Sequence, residues 1–218
     1  MQYSRSSPSE RYRSLLGLYA KMHAEGEPGA SRAPKLTFSG QSLLPQLARI
    51  KRLVERTGAA TLLDYGCGKA SWYDVRNLEI PGEGVFESIV DYWGVAGVCF
   101  YDPGYEPYRA LPEGRFDGVI ATDVLEHCPE EDLGWILEEI FGYAQEFVFA
   151  NVASYPARRT LSNGENAHCT IRPWQWWEAQ LHKTAQRHPG LLWEVWVRYR
   201  GDDGAAVDRR LGNFDAAT

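Results

Sequence analysis

An α/β fold, doubly wound on a mostly parallel sheet, is predicted by three observations. From residue 61 onward, short apolar runs alternate with amphipathic stretches of helical period. That alternation sets parallel strands side by side with helices over both faces. Three of the runs end in residues suited to a ligand, namely Gly66 and Gly68, Asp102, and Asp123, and ligands of such sheets lie beyond the carboxyl ends of the strands. The chain's 218 residues, 44% of them hydrophobic, suffice for one core, and neither an internal repeat nor a linker divides them.

The elements follow in order. Residues 1–10 are polar and read as disordered. Residues 11–24 place Leu15, Leu18, Tyr19 and Met22 at helical spacing. This helix reads equally as one packed on the domain and as a cover for its ligand site. Residues 25–38 are a loop rich in Gly, Pro and Ala. A second helix aligns Leu44, Leu47, Ile50 and Val54, with Gly58 as its stop. Pro45 fits only a first turn, so this helix should start near Ser42 or Leu43. TLLDY is a buried strand entering a tight turn, and residues 71–84 have no clear period. VFESIVDYWG is a short helix and GVCFYDPG a second strand. A third strand covers 116–121, and a helix at 130–144 carries Leu133, Ile136, Leu137 and Ile140. EFVFANV is a fourth strand, followed by a loop at 153–172 and a helix from near Pro173. LLWEVWVRYR is a last strand, and residues 201–218 read as a frayed tail.

Composition narrows the classes. The net charge is −6, which weighs against nucleic acid, whose binders carry a basic face. Cys67, Cys99, Cys128 and Cys169 form no CxxC pair and read as reduced thiols. The first residues lack an apolar signal-type stretch, and no run is long enough to span a bilayer. A cytoplasmic protein without membrane partners is expected, and its composition is compatible with a homodimer.

The first strand ends in Asp64-Tyr65-Gly66-Cys67-Gly68-Lys69-Ala70. Glycines at 66 and 68 permit a sharp turn and close approach of a ligand to the main chain. The turn lacks the GK[ST] of a phosphate loop and the third glycine of the dinucleotide fingerprint. With an acid before it, it suits a cofactor bearing an ammonium group and no phosphate. Asp102 stands where a carboxylate can accept ribose hydroxyls. Asp123 ends the third strand and precedes Val124-Leu125-Glu126-His127.

LLDYGCGKA, CFYDPG and FDGVIATDVLEHCPEEDL together resemble the successive motifs of class I S-adenosylmethionine-dependent methyltransferases. The resemblance covers residues 60–152. It implies a Rossmann-like sheet of about seven strands, with S-adenosylmethionine as cofactor and S-adenosylhomocysteine as product. It also implies that Asp64, Tyr65, Gly66, Cys67 and Gly68 line the methionine part, Asp102 holds the ribose, and Asp123 and Val124 line the methyl-donor side. Three departures stand out. Ala70 replaces a third glycine, the stretch from Gly68 to Asp102 is long, and the acid that often meets the adenine amine is not identifiable before Phe116. On this reading residues 1–58 form a helical cap, 59–152 the cofactor-binding core, 153–200 the acceptor side with the last strands, and 201–218 a flexible tail.

A hydroxyl acceptor needs a base, and His127 and His168 are the candidates. His168 lies among Asn163, Glu165, Asn166, Arg172 and three tryptophans. The tryptophans read as helix core, with Trp174 the one exception. Arg158, Arg159 and Arg172 read either as solvated loop charges or as partners for an anionic acceptor. Asp123-x-x-Glu126-His127 is also similar to the acid-x-x-Glu-His motif of two metal-dependent groups, the ubiquinone-biosynthesis O-methyltransferases and the small-RNA 3′-end methyltransferases. With His168 it would supply two carboxylates and two imidazoles to a divalent metal, although Asp123 is one methylene shorter than the usual Glu.

Three functions follow. The first is methyl transfer to an O or N atom of a small polar or sugar-like acceptor, with His168 as base. The second is metal-assisted O-methylation of an RNA 3′ end or quinone precursor through Asp123, Glu126, His127 and His168. The third is a non-catalytic subunit that binds S-adenosylmethionine as a scaffold.

Overall fold

The computed structural model describes residues 3–27 and 37–214. Residues 1–2, 28–36 and 215–218, parts of the segments read as a polar start, a loop and a tail, lie outside the described residues. Six strands form the main sheet: β1 (Thr61–Tyr65), β4 (Gly97–Tyr101), β5 (Phe116–Thr122), β6 (Ala144–Ala153), β7 (Leu192–Arg200) and β8 (Ala206–Gly212), in the order β4-β1-β5-β6-β7-β8. The first five are mutually parallel and β8 runs antiparallel to β7. This mostly parallel α/β arrangement is compatible with a Rossmann-like fold.

The main sheet has six strands where about seven were expected. Between β4 and β5 the chain makes only a 3₁₀ turn at Glu106–Tyr108, and among the described residues no strand flanks β4 on its outer side. The unpatterned stretch at 71–84 holds a 3₁₀ turn (Ser71–Asp74) and enters a hairpin of β2 (Leu78–Ile80) and β3 (Gly84–Phe86), a separate two-stranded sheet.

Side-chain alternation along the strands sorts the core into two faces. Leu62, Ile120, Phe147 and Phe149 meet α2 (Leu47–Thr57) and α3 (Ile89–Trp93), whose Ile50, Leu53, Tyr92 and Trp93 are buried. Leu63, Val119, Ala121, Val148 and Ala150 meet α4 (Leu133–Tyr143) and α5 (Trp174–Ala185) through Ile136, Leu137, Ile140, Trp177 and Leu181. Trp177 is core, and Trp174 and Trp176 pack against the same cluster.

The second helix starts later than expected. Gln41–Gln46 is a 3₁₀ turn containing Pro45, and regular α2 begins at Leu47. Gly58 stops α2 in a left-handed conformation (φ 70°), as its C-terminal position requires.

Two segments read as disordered are built into the fold. At the start, Arg5 crosses onto the core and donates to Glu139, Tyr65 Oη and Tyr101 Oη. Ser9 caps α1 (Glu10–Glu25) by accepting the Tyr12 N–H, while its own N–H donates to Asp132 at 3.0 Å. Desolvated charge pairing, invisible in a polar decapeptide, orders this segment.

At the other end, residues 206–212 form β8 and so overturn the flexible-tail reading. Its side chains alternate into an ionic seam: Asp208 meets Arg49 and Arg198, and Arg210 meets Glu194. Glu194 is fully buried and accepts from Arg52 at 2.8 Å, Arg210 at 3.0 Å and Trp196 Nε1 at 2.7 Å. Replacing it with Ala strands two guanidinium groups at the α2–β7–β8 junction. Glu194→Ala should destabilise the chain by about 3 kcal/mol. A thermal melt should show the midpoint about 6–12 °C lower, and an unchanged midpoint would show that the seam contributes nothing.

Among the described residues, no helix is long and apolar enough to cross a membrane.

Candidate functional site

The parallel strands β4, β1, β5, β6 and β7 all point their carboxyl ends to one edge of the sheet. A cavity of about 720 Å³ opens there, within the roughly 300–1,000 Å³ of small-molecule sites. Its lining includes Asp64, Tyr65, Gly66, Cys67, Gly68, Asp102, Asp123, Val124, His127 and His168. The structure therefore brings together every residue singled out from the strand ends except Glu126.

The glycine turn after β1 is held from both sides. Gly66 and Cys67 donate their N–H groups to the Tyr101 carbonyl at 2.7 and 3.2 Å, and Gly68 N–H donates to Asp102 Oδ2 at 2.8 Å. Gly66 and Gly68 are left-handed, with φ of 79° and 60°. A Cβ on Gly66 would lie 2.5 Å from Val124, and one on Gly68 would lie 2.3 Å from the Phe38 carbonyl oxygen. No side chain fits at either position. Ala70 is left-handed as well (φ 51°), so the third position keeps the backbone shape at some conformational cost without glycine.

Asp102 Oδ1 accepts the Gly104 N–H at 2.8 Å. Both of its oxygens are therefore anchored, and each retains a second lone pair for a ligand. Burial pushes its pKa above the usual carboxylate range, while the N–H donors of Gly104, Gly68 and Tyr105 oppose that shift.

Asp64 is buried. Its Oδ2 accepts from Tyr73 Oη at 2.9 Å, and its Oδ1 has no partner. Burial drives its pKa up to about 7; the Tyr73 hydrogen bond lowers it, and the charge of Asp102 adds to the rise. An unpartnered carboxylate oxygen beside a cavity is a costly feature that a cationic ligand would relieve.

Two of the expected cofactor residues are occupied elsewhere. Tyr65 Oη donates to Glu139 at 2.8 Å, and the Cys67 thiol, its pKa raised by burial, packs in the core and donates to the Gly68 carbonyl. Their contribution to the cavity is their place in the turn.

Helix α1 both packs on the domain and walls the cavity, through Tyr12, Leu15, Leu16, Tyr19 and His23. His23 is buried, with its ring 4.8 Å from Phe38 and stacked 4.9 Å from Tyr105. Burial lowers its pKa to about 4, with Lys69 adding to the effect, so the ring is neutral beside Asp102.

Across the cavity, Asp123, His127 and His168 each place a ligand atom within 4.8 Å of the others. Asp123 is exposed to the cavity and left-handed (φ 63°). His168 Nδ1 donates to the Tyr155 carbonyl at 2.6 Å. A carbonyl only accepts, so the proton sits on Nδ1 and Nε2 keeps its lone pair. His127 Nδ1 lies 2.9 Å from the Ala167 carbonyl and 2.7 Å from Tyr19 Oη, which itself donates to that carbonyl. Burial holds the pKa of His127 down to about 4, against a rise from Asp123 and with a further lowering by His168.

Glu126 turns the other way. It is fully buried, Oε1 accepts the Ala153 N–H, and Oε2 has no partner. Burial, followed by the charge of Asp123, pushes its pKa well above the usual range. Its backbone carbonyl accepts from Cys169 and Thr170 N–H, which pins the segment bearing His168 to the 3₁₀ turn Leu125–His127 after β5.

Arg172 pairs with Glu130 and stands outside the cavity, whereas Arg158 and Arg159 line it together with Arg200 at the end of β7. Reading the sequence missed Tyr73, His23, Phe38 and Arg200. Only His23 carried a local signal, one helical turn beyond Tyr19. No protein-family model matches the chain, and a comparison with curated proteins finds no match.

Proposed function

We propose that the chain is an S-adenosylmethionine-dependent methyltransferase of doubly wound, Rossmann-like fold, acting on an O or N atom of a small polar acceptor. The observation that carries this reading is the Gly66–Gly68 turn locked to Asp102 in the wall of the cavity, with Asp64, one carboxylate oxygen of which is buried and unpartnered, lining the same cavity. The cofactor, when bound, supplies an electrophilic methyl on a sulfonium. The chain's residues do the rest. Asp64 offers its free oxygen to the ammonium group, and Asp102 offers its remaining lone pairs to the ribose. His127 and His168 face the methyl-donor side. His168 Nε2 takes the acceptor's hydroxyl proton as the oxygen–carbon bond forms and the sulfur–carbon bond breaks, and the Tyr155 carbonyl steadies the resulting imidazolium.

A second reading is favoured by one observation, the convergence of Asp123, His127 and His168. The carbonyl partner on His168 Nδ1 is the kind that orients a metal-ligating imidazole. These three residues fit a divalent cation with open positions, without Glu126, which points away from them into the core. A cation there would acidify an acceptor hydroxyl.

Calorimetric titration with S-adenosylmethionine and S-adenosylhomocysteine tests the proposal. Both should bind in the micromolar range, about −8 kcal/mol. Because an ionised Asp64 is the form that meets the ammonium group, affinity should be greatest above pH 7. It should fall as pH drops through Asp64's value of about 7, with a proton released on binding. Asp64→Asn should flatten that dependence. Absence of binding at millimolar ligand would sink the cofactor assignment.

A further inference from the structure

We propose that the acceptor is an anion, a small hydroxylated carboxylate or phosphate ester held by Arg158, Arg159 and Arg200. That this end of the cavity takes the acceptor rests on the methyl-transfer reading; the anion site itself does not.

Strand order sorts the charges along the sheet edge. Reading across β4, β1, β5, β6 and β7, the cavity meets Asp102, Asp64 and Asp123 on the first three columns. It then meets Arg158 and Arg159 after β6, and Arg200 at the end of β7. Parallel neighbours lie about 4.8 Å apart, so about 14 Å separates the Asp64 column from that of Arg200. One half of the edge therefore suits a cation and the other an anion. The clustering is notable in a chain of net charge −6, because the cations gather against the overall balance.

The cationic end is also built rather than loose. The loop after β6 is clamped by Asn166, which accepts the Ala157 N–H and donates to the Ala157 carbonyl, both at 2.9 Å, and by Ala167 N–H on the Arg159 carbonyl. Arg200 lies over the Tyr155 ring, 5.6 Å from its centroid, and the Tyr155 carbonyl orients the buried His168.

Acidic partners there are few. Arg159 meets Glu27 at 3.5 Å, Arg200 donates to the Gly204 carbonyl, and Arg158 makes no hydrogen bond or ion pair among the described residues. Three guanidinium groups that line one end of a cavity, with Glu27 the one carboxylate among their described partners, are suited to bidentate capture of an oxyanion. Arg172, the third arginine of the sequence pattern, takes no part, because Glu130 holds it outside the cavity.

The test is calorimetric titration of the full chain with inorganic phosphate and, separately, with succinate, each with and without S-adenosylhomocysteine. Saturable binding of one anion is expected. The double variant R158A/R200A should weaken it at least about tenfold while leaving S-adenosylhomocysteine affinity unchanged. Which anion binds tells phosphate ester from carboxylate. Failure of both anions to saturate, or equal affinity in the double variant, overturns the proposal. Failure of S-adenosylhomocysteine alone counts against the methyltransferase reading and leaves the anion site standing.

Discussion

Asp102→Ala is expected to weaken S-adenosylmethionine binding at least about 100-fold. Two losses add. On the proposed function, the substitution removes the acceptor for the ribose hydroxyls, and it frees the Gly68 and Gly104 N–H groups that Oδ2 and Oδ1 now hold. A hydrogen bond to a charged group contributes about 1.5–3 kcal/mol, so losing two such interactions to the ligand amounts to about two to four decades in affinity. Asp102→Asn keeps one acceptor oxygen and should fall between Ala and the native residue. Calorimetry measures the affinity, and a thermal melt on the same sample distinguishes lost binding from a disordered glycine turn. Native affinity in the folded Ala variant would remove Asp102 from the cofactor site.

His168→Ala should leave cofactor affinity intact and lower turnover about 10²–10⁴-fold, the range for loss of a positioned acid or base. The reason is geometric. Tyr155's carbonyl holds the proton on Nδ1, so the one free lone pair of the ring is Nε2, in a pocket shared with Asp123 and His127. The assay is release of S-adenosylhomocysteine with acceptors drawn from hydroxylated anions. A chelator separates the two roles open to His168. Activity insensitive to chelation identifies a base, and His127→Ala should then lose far less than His168→Ala. Activity lost to the chelator and restored by a divalent ion identifies a ligand, and Asp123→Ala, His127→Ala and His168→Ala should then fail alike. Full activity in His168→Ala contradicts both.

The local signals proved to be those carried by short stretches of chain. Apolar period placed α1, α4, α5 and the five parallel strands, because period depends only on the geometry of the element. The Asp64–Gly66–Gly68 turn was legible because glycine is required wherever φ is positive and a Cβ would strike a neighbour. Asp102 and Asp123 were legible because a residue at the end of a parallel strand faces the ligand edge whatever its neighbours are.

What stayed hidden depended on partners far away in sequence. Residues 206–212 carry too many charges to read as a strand. They pair with β7 because Arg49 and Arg198 meet Asp208 and Glu194 meets Arg210 at that edge. Arg5 is ordered by Glu139, 134 residues on.

The sequence by itself therefore determined the alternating α/β order, the glycine turn and the acids at the strand ends, all of which follow from backbone geometry over a few residues. Only the tertiary structure decided that the main sheet has six strands and that α1 walls the cavity. It likewise turned Glu126 inward while His127 and His168 face each other, and set Arg200 rather than Arg172 in the cavity that Arg158 lines. Strand order and packing bring those groups together across distances that no local period encodes. Burial and the need to pair each desolvated charge then select which of them meet.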